Sequence, residues 1–142
     1  MLSEVVFGFF AVFAVHLDLT TGRVPNFWTA LFFLAGTAFI KDPAAYAAAL
    51  LAIVFGFFVW KFRAWQAGDA KFFGTLVFWG FAFGMPVFFA VPLFLFTAGL
   101  CGIASWFKRG TEKYLRLPGA PFCVLAFWAL RMVDWIARTV QH

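Results

Sequence analysis

An uncharged run of 36 residues, from Phe72 to Phe107, limits most strongly what this chain can fold into. As one helix it would be about 54 Å long at 1.5 Å per residue, nearly twice the bilayer's hydrocarbon thickness of about 30 Å. The run must therefore fold back once. The expected corner is Gly84-Met85-Pro86, because proline disfavours helix at the residue before it and glycine can adopt positive φ.

The whole chain has the composition of a membrane protein. It is 65% hydrophobic and only 12% charged, about half the charged fraction of a soluble domain, and its 23% aromatic residues exclude a disordered tail. We predict an all-α fold, a single polytopic membrane helix bundle over residues 1–142 with about six transmembrane helices. The predicted segments are Leu2 to Leu17, Pro25 to Ile40, Ala44 to Trp60, Phe72 to Phe83, Val87 to Phe107 and Pro121 to Ile136. The fourth is short and is expected to take residues from the loop that carries Asp69.

The basic residues predict the topology. Eight of the eleven fall in alternate loops: Arg23 in the first, Lys61, Arg63 and Lys71 in the third, and Lys108, Arg109, Lys113 and Arg116 in the fifth. By the positive-inside rule these loops are cytoplasmic and both termini lie outside. The net charge of +5 is then a signal of topology and of affinity for membrane lipid, and no nucleic-acid partner is predicted.

Metal and cofactor sites are not predicted. Cys101 and Cys123 both lie in apolar stretches, so neither a disulfide framework nor a four-cysteine zinc site is expected, and both are interpreted as small buried residues. Arg131 and Asp134, three residues apart, are expected to pair within the last helix.

Two of the six carboxylates need explaining. Asp18 closes the first predicted helix and Asp69 opens the fourth, so both are expected at cytoplasmic helix ends, although 51 residues separate them in sequence. Each could be an interfacial charge, and Asp69 could be favoured by a helix dipole. If they meet, they cannot both ionise cheaply, so one keeps a proton while the other accepts one from water, which is the chemistry of peptide hydrolysis. His16 lies about 200° around the helix from Asp18 and is interpreted as structural.

The sequences around these two carboxylates resemble a known family. Asp18 is followed by Leu-Thr-Thr-Gly-Arg-Val-Pro-Asn, and Asp69 lies in Gly-Asp-Ala-Lys. The pair resembles the prepilin peptidases, whose patterns are Asp, a few residues, Arg-Ile/Val-Pro-Asn, and then Gly-x-Gly-Asp-x-Lys. Gln66 stands where the second pattern has its first glycine. Pro121-Phe122 is similar to the family's Pro-Tyr/Phe element at the last helix.

The resemblance implies an aspartic endopeptidase of the cytoplasmic membrane, with its active site facing the cytoplasm. It would cleave the leader from a type IV pilin-like precursor after a glycine just before the pilin's hydrophobic helix, with Asp18 and Asp69 activating water and no cofactor. Only 17 residues precede Asp18 and the cysteines of a zinc segment are missing. We therefore expect a minimal form without methyltransferase, similar to the enzymes of tight-adherence (Flp-type) pili.

Five further residues are predicted to support the site. Gly68 would let the backbone approach substrate or adopt positive φ, unless it is a plain loop glycine. Pro25 suits the first turn of the second helix, and Asn26 could fix the loop after Asp18 by a hydrogen bond. Arg23 and Lys71 could tune the carboxylates or serve topology alone.

Two other classes of function are alternatives for a membrane chain with this pair of carboxylates. A small proton-coupled membrane transporter could use Asp18 and Asp69 as a relay, which would require them near the bilayer midplane, and no inverted repeat is visible. A non-catalytic scaffold of a pilus machine would leave both motifs unexplained.

Overall fold

The fold was analysed in a computed structural model that describes residues 1–61, 67–108 and 119–140. These residues form six α-helices and no strand, which confirms the predicted all-α bundle. The helices are α1 (Leu2–Thr21), α2 (Asn26–Thr37), α3 (Pro43–Lys61), α4 (Ala67–Ala82), α5 (Ala90–Lys108) and α6 (Gly119–Val140), with a single 3₁₀ turn, Val87–Phe89, before α5.

The predicted corner inside the long apolar run is confirmed. Gly84 has φ 70°, and the N–H of Met85 returns to the carbonyl of Gly80 at 3.0 Å. The N–H of Phe89 then binds the carbonyl of Pro86 at 2.9 Å and begins the next helical turn. The chain therefore reverses direction where glycine permits a positive φ and proline prevents a continuous helix.

Helix α1 continues past its predicted end at Leu17. The hydroxyls of Thr20 and Thr21 donate to the carbonyls of His16 and Leu17 at 2.8 and 2.7 Å, so these polar residues stay inside the helix. Gly22, with φ 71°, ends it in the left-handed conformation that favours glycine. Asp18 consequently lies within the last turn of α1 rather than at its end.

Two of the helices are long and apolar enough to cross a membrane, judged by length and composition. They are α1 and α6, while α3 and α5 contain shorter apolar stretches, Pro43–Val59 and Ala90–Cys101. The two candidate spans support a membrane helix bundle. The number of six spans and the placement of the termini stay predictions.

An aromatic cluster forms the core where α1, α2, α4 and α6 meet. Phe7 stacks on Phe127 with ring centroids 4.6 Å apart, and Phe32 stacks on Trp79 at 5.4 Å. All four side chains are fully buried. The indole N–H of Trp79 donates to the carbonyl of Phe32 at 3.0 Å, so this buried donor has a partner.

Small residues let α3 and α4 approach closely. A Cβ atom at Gly56 would lie 2.8 Å from the Cα of Ala70. A Cβ at Gly74 would overlap the side chain of Ile53 and lie 3.0 Å from the carbonyl oxygen of Ala49. Close backbone packing over small residues is typical of helix pairs in membranes.

One ion pair and one hydrogen bond join the C-terminal half of α6 to its neighbours. Arg131 binds Glu4 of α1 at 2.7 Å, and Arg138 binds Asp134 at 3.0 Å while donating to the carbonyl of Gly84, also at 3.0 Å. The predicted pair between Arg131 and Asp134 is therefore wrong. Arg131 reaches the first turn of α1 instead, and Asp134 pairs one turn further along α6.

Gly74→Ala is expected to lower the free energy of unfolding by about 1–3 kcal/mol, because the added methyl group has no room between α3 and α4. The loss should be smaller in an Ile53→Ala background, which removes the nearest obstacle. Gly8→Ala is the matched control, since a Cβ there meets nothing within 4 Å. Thermal unfolding in detergent measures all four variants, and equal effects of Gly74→Ala and Gly8→Ala would contradict the packing.

Candidate active site

The two predicted catalytic carboxylates both lie against the beginning of α6. The backbone N–H of Ala120 donates to Oδ2 of Asp18 at 2.8 Å. A Cβ atom at Gly119 would lie 2.5 Å from Oδ1 and 2.7 Å from Oδ2 of Asp69. Because Gly119 and Ala120 are consecutive, standard backbone geometry keeps the two carboxylates within about 9 Å of each other.

Helical periodicity explains why Asp18 points inward. The buried residues of α1 are Phe7, Ala11, Ala14 and Asp18, which recur every three or four positions on one face. Asp18 continues this face to the end of the helix and is only 2% exposed. His16 is exposed, as its predicted position on the other side of the helix requires.

Asp69 is enclosed because α4 is the central helix. Residues 72–80 are all buried, so α4 is covered on every side, and Asp69 in its first turn is 6% exposed. The helix begins at Ala67 instead of Phe72, which brings Asp69 into the helix as the length of the fourth segment led us to expect.

Cys123 lies one turn into α6 from Gly119, beside the two carboxylates. It is 1% exposed. Its burial was predicted, but its position at the site was not. The signal available in the sequence is its four-residue spacing from Gly119, which puts both residues on the same face of α6. Cys101 is only partly buried, and the two cysteines do not form a disulfide with each other.

Lys71 and Asn26 join α4 to the start of α2. The ammonium group of Lys71 donates to Oδ1 of Asn26 at 3.0 Å and lies 6.0 Å from the ring centroid of Phe57. The hydrogen bond expected of Asn26 is therefore made, with a partner that also belongs to the predicted set. It ties the loop after Asp18 to the helix that carries Asp69.

Pro25 and Arg23 belong to the loop that links α1 to α2. Pro25 is the N-cap of α2, with φ −62° and ψ 141°, one residue before the first turn in which it was expected. Arg23 is exposed, and its carbonyl accepts a hydrogen bond from the hydroxyl of Thr21 at 2.9 Å.

Gly68 does not adopt the positive φ that was one of its predicted uses. Among the described residues the glycines with positive φ are Gly22 and Gly84, whereas Gly68 is helical. A Cβ at Gly68 would lie 3.4 Å from the carbonyl oxygen of Val24, an ordinary contact. Gly68 therefore contacts the loop after α1.

Gln66, the departure from the second motif, lies outside the described residues, as do Arg63, Arg109, Lys113 and Arg116.

The arrangement brings two buried carboxyl groups to the same helix end, within about 9 Å of each other. Two such groups are the kind that can serve as an acid and a base. Within residues 1–61, 67–108 and 119–140, no group of three or more His, Cys, Asp or Glu side chains could hold a metal ion.

Comparison of the chain with family models, with curated proteins and with solved structures gave no match in any of the three. The resemblance to prepilin peptidases therefore depends on the motif residues and on where they lie.

Breaking the contact between Lys71 and Asn26 is expected to cost little stability. The pair is exposed, so Lys71→Met and Asn26→Ala should each lower the free energy of unfolding by less than about 1 kcal/mol, with a coupling near 0.5 kcal/mol. A double-variant cycle of unfolding measurements checks this. A coupling of several kcal/mol would contradict the exposed geometry.

Proposed function

We propose that this protein is a membrane aspartic endopeptidase that removes the leader from type IV pilin-like precursors, with Asp18 and Asp69 as its catalytic residues. The observation that carries the proposal is that two buried carboxylates, 51 residues apart in sequence, both lie against the start of α6. Each stands in a motif that resembles the prepilin peptidases.

The proposed chemistry needs one proton and one water. The ionised carboxylate takes a proton from water, whose oxygen bonds to the carbonyl carbon of the scissile peptide, while the protonated carboxyl group donates to the carbonyl oxygen. The tetrahedral intermediate then breaks its C–N bond. The leaving amine takes the proton of the carboxyl pair, and the pair accepts a hydroxyl proton of the gem-diol as it becomes the carboxylic acid product, which restores the singly protonated state.

The charges at this end of the bundle support an active site at the cytoplasmic border. Arg23 follows α1, Lys61 ends α3, Lys71 is the fifth residue of α4 and Lys108 ends α5, so all four share an end with the aspartates. Lys41, Arg131 and Arg138 lie at the opposite end, where the two arginines pair with Glu4 and Asp134. The positive-inside rule assigns the more basic end to the cytoplasm.

The exposed apolar side chains support a bundle of six spans surrounded by lipid. Water-soluble monomers rarely expose large continuous apolar patches. Here α3 and α5 both expose several large apolar side chains: Leu50, Leu51, Val54, Phe55, Phe58, Val91, Leu95 and Phe96. A pilin precursor with a hydrophobic helix could lie beside such a surface in the same bilayer. The resemblance to the peptidases of tight-adherence pili supports this kind of substrate.

The positions of the carboxylates favour a peptidase over a proton-coupled transporter. A relay across the membrane would require ionisable groups near the bilayer midplane. Asp18 lies in the last turn of α1 and Asp69 in the first turn of α4, at the same end of the bundle.

Asp18→Asn and Asp69→Asn are each expected to reduce precursor cleavage by about 10²–10⁴-fold, because each removes one partner of the acid and base pair. The measurement is co-expression with candidate pilin-like precursors, read as a mobility shift on a gel. Asp134→Asn is the matched control, since Asp134 pairs with Arg138 at the other end of α6. It should leave cleavage unchanged. Normal cleavage by either Asp18→Asn or Asp69→Asn would contradict the proposal.

A further inference from the structure

Gly119 is the residue of α6 against which the carboxylate of Asp69 packs. A Cβ atom at this position would lie 2.5 Å from both Cγ and Oδ1 of Asp69 and 2.7 Å from Oδ2. All three distances are far below the ordinary contact distance of about 3.4 Å or more between such atoms. The missing side chain is what makes room for the carboxylate.

The backbone conformation of Gly119 does not itself require glycine. Its φ is not positive, in contrast to Gly22 and Gly84. It opens an α-helix, where alanine is the better helix former. The contact with Asp69 therefore explains the glycine where neither φ nor helix propensity does.

Among the glycines that the structure describes, the other tightly packed ones do not meet a charged group. A Cβ at Gly80 would lie 3.0 Å from the ring of Phe89, and one at Gly36 would lie 2.9 Å from the ring of Phe78. At Gly119 the three nearest atoms all belong to a carboxyl group. The next residue, Ala120, donates its N–H to Asp18. Two consecutive residues of α6 thus contact the two carboxylates.

We propose that Gly119 is a positioning residue of the active site, because its lack of a side chain sets how closely Asp69 approaches Asp18. The inference rests on the proposed peptidase function. With Ala120 holding Asp18, a methyl group at residue 119 would force the carboxylate of Asp69 back by about 1 Å, a displacement that can cost an enzyme about 100-fold in rate.

The first test is the kinetics of precursor cleavage by Gly119→Ala, expressed per folded molecule in detergent. We expect kcat to fall about 100-fold while KM stays within about twofold, because the chemical step depends on the geometry of the carboxylates. Gly8→Ala, in open space, and Gly80→Ala, strained but distant from the carboxylates, are the controls. Both should keep the wild-type kcat. A wild-type kcat for Gly119→Ala would overturn the inference.

The second test does not depend on activity. Gly119→Ala should lower the melting temperature by several degrees in the wild-type chain, because the methyl group meets the carboxylate of Asp69. In an Asp69→Ala background the same change should leave the melting temperature unchanged or raise it, since the obstacle is gone and alanine favours helix. An equal loss in both backgrounds would show that Gly119 packs against something else, and the inference would fail.

The two tests separate the two proposals. If the wild-type chain cleaves no pilin-like precursor, the proposed function fails and the positioning role fails with it. If the wild-type chain cleaves and Gly119→Ala cleaves equally well, the positioning role alone fails and Asp18 and Asp69 keep theirs.

Discussion

Two acidic side chains are buried at one end of this bundle, and the start of α6 is what makes their burial tolerable. A buried charge is costly unless it is hydrogen-bonded, and a helix N-terminus supplies both free N–H groups and a favourable dipole. Ala120 provides one such N–H to Asp18. At the opposite end, Arg131 of α6 binds Glu4 in the first turn of α1. These two contacts, one at each end of the helix pair, hold α1 and α6 antiparallel and keep the carboxylate of Asp18 at the start of α6.

The second carboxylate depends on the packing of α4. This helix is surrounded by the others: α3 packs against it over Gly56 and Gly74, and the aromatic core contacts it through Trp79. Close packing leaves little freedom to rotate or slide, so the first turn of α4 has a fixed place beside the start of α6. Asp69 is therefore positioned by the body of the bundle, whereas Asp18 is positioned by the end of its helix and by a hydrogen bond.

Much of this arrangement is readable from the sequence, and what is missed has a common cause. The corner at Gly84 and the entry of Asp69 into α4 follow from local rules about glycine, proline and helix length. The contact between Asp18 and Ala120 joins residues 102 positions apart, and no local pattern predicts which N–H a distant carboxylate will meet. The same limit applies to the ion pair between Arg131 and Glu4 and to the packing of Asp69 against Gly119, which also join residues far apart in sequence.

A site at the end of the helices also suits the reaction we propose. In the hydrocarbon core every backbone N–H and C=O group must be hydrogen-bonded within the chain, so a substrate helix cannot open there without a large cost. At the membrane border a helix can begin or end, and the freed backbone groups can bind water or the enzyme. A protease that cuts just before a hydrophobic helix would therefore need its carboxylates at the end of its own helices, and Asp18 and Asp69 lie at such an end.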